Sequence, residues 1–355
     1  MTSPARPTRP SKQEQEPASD EITEVAPGVL RLQLPISLPG LGHVNCYALE
    51  DDRGVAVVDP GLPGPEPWRS LAGRLSDAGF AVGDVHTVVV THSHPDHFGG
   101  ADRLRQEADA EVVTHRLFRN WWDPGDDAGL DRDGVDGEEP AAPAHSVFDG
   151  ATPWGGEPLR PPPGMRGGAM RSRMRSQYRA PEPSVRLEDA EVVRLAGREW
   201  VAVHTPGHTP DHLCLFDPAE GVLLSGDHVL PTITPHISGI GAGADPLTGF
   251  FESLARMHTL DGVRTVLPAH GHPFSDLGGR ADAIRRHHDE RLQTLRAASA
   301  GLGPATVTAL SHELFSQRVW GPMAESETYA HLEHLRLAGQ ATRTETGGML
   351  HYTVG

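Results

Sequence analysis

The sequence predicts a mixed α/β fold: two β-sheets packed face to face and covered by helices, with a small module after them. Three observations predict it. Short apolar strands alternate with turns and helical stretches from about residue 25 onward, the pattern of a layered domain. Polar residues close several of those strands, each beside a glycine. After about residue 279 the chain turns strongly helical and ends in two strand-like runs around Gly347-Gly348.

Taken in order, residues 1–24 are rich in Pro, Ser, Glu and Gln and are expected to form a disordered tail. The run Gly28-Val29-Leu30-Arg31-Leu32-Gln33-Leu34 begins the strands, and Val44-Asn45-Cys46-Tyr47-Ala48-Leu49 follows. Helical periodicity covers residues 68–79, 95–107 and 249–258. These elements make one expected domain over residues 25–280. It is interrupted at 123–184, where acidic and Gly/Pro-rich sequence gives way to Arg160-Pro161-Pro162-Pro163-Gly164-Met165-Arg166 and then to Arg171, Arg173, Arg175 and Arg179. A loop of that length inside a domain is functional or disordered. Two readings stand: a lid whose arginines, Arg173 and Arg175 among them, receive an anionic substrate, or a surface insert whose arginines offset nearby acids. Residues 281–355 form the second expected unit, with helices over 281–300, 304–315 and 325–338 and a hairpin over 342–354.

The densest chemistry lies in Thr91-His92-Ser93-His94-Pro95-Asp96-His97-Phe98-Gly99-Gly100, directly after the apolar run Val85-His86-Thr87-Val88-Val89-Val90. Three imidazoles and a carboxylate within six positions need compensation if buried. A divalent metal supplies it, since neutral imidazole and carboxylate are good ligands. His92 and His94 project from an extended segment while Asp96 and His97 open a helix, so one turn can feed two adjacent ions. Further donors follow later strands. His208 lies in Thr205-Pro206-Gly207-His208-Thr209, Asp227 follows Gly221-Val222-Leu223-Leu224-Ser225-Gly226, and His270 follows Val263-Arg264-Thr265-Val266-Leu267-Pro268-Ala269. Sites in α/β sheets collect at such strand ends. Any single histidine of the 21 present, such as His115 or His204, reads more simply as a surface or satisfied core residue. It is the set that carries the argument.

The chain has 355 residues, a formal net charge of −17 and one lysine, Lys12. That charge argues against a general nucleic-acid-binding surface. Cys46 and Cys214 sit in strand-like runs and read as small buried hydrophobes, with no disulfide framework. The N-terminal stretch lacks the apolar core of a signal peptide, and no run reaches membrane-spanning length. A cytoplasmic location is the expectation.

Motif by motif and in order, His92, His94, Asp96, His97, His208, Asp227 and His270 resemble the ligand set of the metallo-β-lactamase-fold hydrolases, over roughly residues 25–280. The resemblance implies an αββα sandwich with the metals in a cleft along one edge. By it, His92, His94 and His208 hold the first ion, Asp96, His97 and His270 hold the second, and Asp227 bridges them. Asp96 and Asp227 are then the catalytic carboxylates. Asp59, at the end of Val57-Val58-Asp59-Pro60-Gly61, resembles the strand-end aspartate that orients a ligand. The terminal helices and hairpin resemble the winged-helix module that follows this domain in one branch of the superfamily. A DNA-binding role for it is disfavoured by Glu325, Glu327 and Glu333 on its last helix, which would repel phosphates; a packing or substrate-wall role is expected.

Two ions sharing a water lower its pKa toward neutrality, and the bridging hydroxide attacks a carbonyl or phosphoryl centre. No G-x-S-x-G elbow is present. Antibiotic-cleaving members of the resembled family generally lack the bridging aspartate, and the persulfide-oxidising ones hold a single iron. Asp227 and the full second site therefore point elsewhere. The expected activity is hydrolysis of a thioester of acyl-CoA, acyl-carrier or glutathione type; the alternative is an endoribonuclease or phosphodiesterase. A DNA-binding regulator without enzymatic activity would leave the metal set unexplained. Zinc is the expected metal, with iron or manganese compatible with the same N/O ligands. A small anionic substrate is the expected partner, and the terminal helices would suit a homodimer. His236, in Gly226-Asp227-His228-Val229-Leu230-Pro231-Thr232-Ile233-Thr234-Pro235-His236, is a candidate substrate contact or else an exposed loop histidine; Trp154 and Tyr178 stay undetermined.

Overall fold

A computed structural model describes residues 12–119, 152–156 and 178–355. Two sheets form the body. The first has seven strands in the order β1 (Thr23–Ala26), β2 (Val29–Leu38), β3 (Leu41–Asp51), β4 (Gly54–Val58), β5 (Val85–Val89), β6 (Glu111–His115) and β7 (Val185–Leu187). Its first four strands pair antiparallel and its last four pair parallel. The second sheet comprises β8 (Val192–Leu195), β9 (Arg198–His204), β10 (Leu213–Asp217), β11 (Val222–Gly226) and β12 (Thr265–Pro268), ordered β12-β11-β10-β9-β8.

Period-two alternation sorts the strand residues into layers. In β4, Val55 and Val57 face outward with Trp68, Leu71 and Leu75 of α1 (Pro65–Asp77) and Leu104 of α3 (Ala101–Ala108). Ala56 and Val58 face inward, joining Leu213 and Leu215 of β10 and Val222 and Leu224 of β11 between the sheets. On the far side of the second sheet, Cys214, Phe216, Leu223 and Val266 meet the helices that follow. Both sheets are thus covered on both faces, which is why their strands read as nearly continuous apolar runs. The result is the expected αββα sandwich with helices after it.

Those helices are α4 (Pro246–Met257), α5 (Leu277–Leu302), α6 (Val307–Leu314) and α7 (Pro322–Leu337). The hairpin is β14 (Ala341–Thr346) and β15 (Met349–Val354), turned at Gly347 and Gly348 with φ of 61° and 78°, the conformation a two-residue hairpin loop needs. A short β13 (Ala305–Thr306) adds to β15. The expected boundary at 280/281 falls inside α5. One apolar cluster runs from Leu223 and Val266 of the second sheet through Leu254, Ile284 and Leu295 to Leu332 and Tyr352.

Three other expectations meet corrections. The helix expected over 95–107 is two: α2 (Pro95–Phe98) and α3, parted at Gly99-Gly100. A Cβ on Gly99 would lie 2.0 Å from the Pro63 nitrogen and one on Gly100 2.6 Å from the Pro60 carbonyl, so the glycines admit the neighbouring loop. The tail expected to be disordered over 1–24 packs onto the body from residue 12. Glu14 is buried and accepts from the Thr232 nitrogen at 2.7 Å and the Ile233 nitrogen at 3.0 Å. Finally, the acids expected to face solvent on α7 are turned inward. Glu325 accepts from Trp154 Nε1 at 2.9 Å and Thr308 Oγ1 at 2.9 Å, Glu327 pairs with Arg291, and Glu333 accepts from Arg336, Arg343 and Tyr352. Each carboxylate has partners that compensate for its burial, and none presents the exposed charge that would repel phosphates.

Of the 123–184 insert, only residues 152–156 and 178–184 are described; Arg173 and Arg175 lie outside the described residues. Among the described residues no helix is long and apolar enough to cross a membrane.

Candidate metal centre

Every predicted ligand sits just past the carboxyl end of a strand at one edge of the sandwich. β5 delivers His92, His94, Asp96 and His97; β9 leads to His208, β11 to Asp227 and β12 to His270. The structure gathers them into two groups. Donor atoms of His92, His94, His208 and Asp227 lie within 4.8 Å of one another, as do those of Asp96, His97 and His270. Asp227 reaches both. Its Oδ2 is 3.5 Å from His208 Nε2, 3.9 Å from His92 Nε2 and 3.7 Å from His97 Nε2, and its Oδ1 is 3.3 Å from His270 Nε2. Asp96 Oδ2 lies 3.7 Å from His97 Nε2 and 3.6 Å from His270 Nε2.

The hydrogen bonds around the cluster fix which nitrogen of each imidazole carries its proton. His97 Nδ1 donates to Asp59 Oδ2 at 2.8 Å. His208 Nδ1 donates to the His236 carbonyl at 2.7 Å, and His270 Nδ1 to the His43 carbonyl at 2.6 Å. Thr91 Oγ1 gives its proton to Asp59 Oδ2 at 2.8 Å, so at 3.0 Å it accepts from His92 Nδ1. All four rings therefore present an Nε2 lone pair to the centre, the arrangement that outer acceptors impose on metal-binding histidines. His94 turns Nδ1 inward instead, 2.9 Å from His92 Nε2 and 3.1 Å from His208 Nε2. Among the buried polar atoms without a hydrogen-bond partner are His97 Nε2, His270 Nε2 and Asp227 Oδ1. Lone pairs converging in a buried site repel one another unless a cation lies between them. The residues present fit divalent metal ions.

Electrostatics separates the two groups. Burial, reinforced by the neighbouring histidines, holds His92 and His94 well below the usual imidazole pKa. Burial also opposes charge on His97 and His270, but Asp59, Asp96 and Asp227 outweigh it at His97, and Asp227 with Asp96 at His270, so both are raised. Burial would neutralise Asp227, yet His270 and His97 keep it ionised, well below the ordinary carboxylate range.

Asp59 is where the strand-end reading placed it. It is 2% exposed, lies at φ 56°, and accepts from the Thr91 nitrogen at 2.9 Å as well as from Thr91 Oγ1 and His97. A left-handed non-glycine residue carries strain that the surrounding bonds must hold. His236 is one-quarter exposed at its side chain, with Nδ1 3.3 Å from Glu327 Oε2. Trp154 is buried against α7, and Tyr178 is half-buried.

Sequence reasoning passed over several contributors. His212 is fully buried; its Nε2 accepts the Asp227 amide at 3.0 Å and its Nδ1 meets Thr205 Oγ1 at 2.7 Å. Its position four residues after His208 was a usable signal. Thr91 and His43 act through a hydroxyl and a carbonyl, for which no sequence signal exists.

Residues 39–298 match the metallo-beta-lactamase superfamily profile. The chain is 26% identical over 345 residues to the protein named "Probable metallo-hydrolase YqjP" of Bacillus subtilis, covering 91% of this chain and 97% of that one. It is 26% identical over 313 residues to the atrochrysone carboxyl ACP thioesterase nsrC of Aspergillus novofumigatus, covering 84% of this chain and 74% of that one. Among solved structures, a metallo-beta-lactamase family protein from Thermus thermophilus superposes with a TM-score of 0.73 at 29% identity, covering 94% of this chain and all of that one (100%). A beta-lactamase domain protein from Burkholderia ambifaria gives a TM-score of 0.72 at 29% identity, covering 96% of each chain. With the family profile matched over most of its length and the fold and donor set in agreement, the chain belongs to the metallo-beta-lactamase superfamily.

Proposed function

We propose that this chain is a dinuclear-metal hydrolase acting on a thioester of acyl-CoA, acyl-carrier or glutathione type, with zinc as the metal. The observation that carries the reading is the inward presentation of seven donors with Asp227 shared between the two groups. Two divalent cations held there would supply Lewis acidity and acidify a water toward neutrality. The chain's own part is orientation. Asp59 and Thr91 hold His97 and His92, His212 holds the Asp227 backbone, and the carbonyls of His43 and His236 hold His270 and His208. His236, one-quarter exposed beside the first group of donors, is the substrate contact this reading proposes. The thioester class draws support from the ACP thioesterases among the relatives. A nuclease reading persists for one reason: the acids of α7, which would have repelled phosphates, are buried and paired. The net charge of −17 still weighs against it.

The test sets metal-replete protein and Asp227→Ala against a panel of acyl-CoA, acyl-carrier and glutathione thioesters and a structured RNA. Thioester cleavage abolished in the variant, by a factor of about 100 or more, is the expected result. RNA cleavage lost in the variant with thioesters untouched would replace the reading by the nuclease. Equal activity in both proteins would remove Asp227 from its role.

A further inference from the structure

The last helix of the chain reaches the centre through one loop. Residues 231–240 run from the Asp227 strand end toward α4, and His236 stands in their middle. Its carbonyl takes the Nδ1 proton of His208 at 2.7 Å, which leaves His208 Nε2 for the first metal group. Its ring is tied the other way, with Nδ1 3.3 Å from Glu327 Oε2 on α7. The other oxygen of Glu327 pairs with Arg291 of α5. Beside this tether Ser326 Oγ accepts from the Gly239 nitrogen at 3.1 Å. A Cβ on Gly239 would lie 2.6 Å from Tyr329 Cδ1 and 2.7 Å from the Ser326 carbonyl, so loop and helix are in direct contact.

From this geometry we infer that Glu327, anchored by Arg291, is a positioning residue for the first metal: through His236 it sets the carbonyl that orients His208. Burying a carboxylate is a poor way to gain stability, because an apolar replacement is often neutral or better. Glu327 is 6% exposed and its two oxygens are divided between an anchor and the ring of His236, which suits fixing a geometry. Its histidine neighbours are bonded mainly to the helices and to each other, with His288 Nε2 buried and unpartnered. His288, Glu327 and His331 lie within 4.8 Å, yet His331 Nδ1 donates to the Glu327 carbonyl at 2.7 Å and His331 Nε2 accepts from His288 Nδ1 at 3.0 Å. Those two rings pack α5 on α7.

The inference rests on the metal-centre reading and not on the thioester substrate. It is tested on the full chain by titrating stripped protein with Zn²⁺ against a chromophoric chelator, comparing wild type with Glu327→Gln, His236→Ala, Glu325→Gln and His208→Ala. Glu327→Gln and His236→Ala are expected to weaken one of the two ions about tenfold or more and keep the other. The weakened ion is the one lost in His208→Ala. Glu325→Gln, on the same helix but bonded to Trp154 and Thr308, should bind like wild type. Unaltered affinities in Glu327→Gln, or equal weakening of both ions with a lowered melting temperature, would overturn the inference alone. Wild-type protein binding no ion would overturn the metal centre with it.

Discussion

At the scale of single residues, the centre holds two kinds of imidazole. His97 and His270 sit among carboxylates that raise their pKa, while burial and like neighbours depress His92 and His94. A ligand nitrogen must shed its proton to bind metal, so a raised pKa lets protons compete at a higher pH. On acidification from about pH 8 to about pH 5, the ion at Asp96, His97 and His270 should therefore leave before the ion at His92, His94 and His208. Metal content after dialysis across that range, with His97→Ala and His208→Ala marking each site, measures the order; simultaneous release or the reverse order would sink the idea. The seven donors could be read from sequence because each follows an apolar strand, where the backbone has to turn and a polar side chain can face the edge. What could not be read is how they are held. The tautomers depend on the carbonyls of His43 and His236, and any residue type carries a carbonyl.

At the scale of elements, the start at Pro95 was legible and three other helix starts were not. Helices expected from residues 68, 249 and 325 begin three residues earlier, at Pro65, Pro246 and Pro322. Proline reads as a breaker but suits the first helical position, where its missing N–H goes unused. Gly207 shows what such packing does for the site. Its φ is 135°, and a Cβ there would lie 2.4 Å from Cα and Cβ of Phe250 on α4. Gly207→Ala should push the His208 loop and α4 apart, destabilising the fold by about 1–3 kcal/mol and weakening the first metal ion. Thermal unfolding and zinc titration check both effects. A variant with wild-type stability and affinity would mean that the loop yields without moving His208.

At the scale of the whole molecule, a net charge of −17 does not say which acids face water: Glu14, Glu325, Glu327 and Glu333 are buried with partners. Periodicity on α7 gave no warning, because its polar residues face a polar network between helices and not water. The histidines follow the same course and carry a consequence for stability. Among the described residues, eleven (His43, His86, His92, His94, His115, His204, His212, His228, His287, His288 and His331) have a pKa lowered chiefly by burial. Unfolded histidine protonates near pH 6.5, whereas His115 and His228 resist until about 3 and His331 until about 4. Between those values the unfolded chain binds more protons, so stability falls as the pH drops through 6.5. Metal-free His97 and His270, raised by their carboxylates, and Asp211, raised to about 6 by burial, act in the opposite sense. They are three against eleven histidines, which are joined at the acid end by six carboxylates held below their usual range, Asp51, Asp189, Asp227, Asp245, Glu327 and Glu333. The melting temperature of chelator-treated protein should therefore be highest above about pH 7 and decline steadily toward about pH 4. Because His228 is fully buried beside Phe250, with ring centroids 5.3 Å apart, His228→Phe should make that decline shallower. A melting temperature that stays level or rises between those limits would mean that the buried rings take up protons without unfolding, through water that reaches them in the native state.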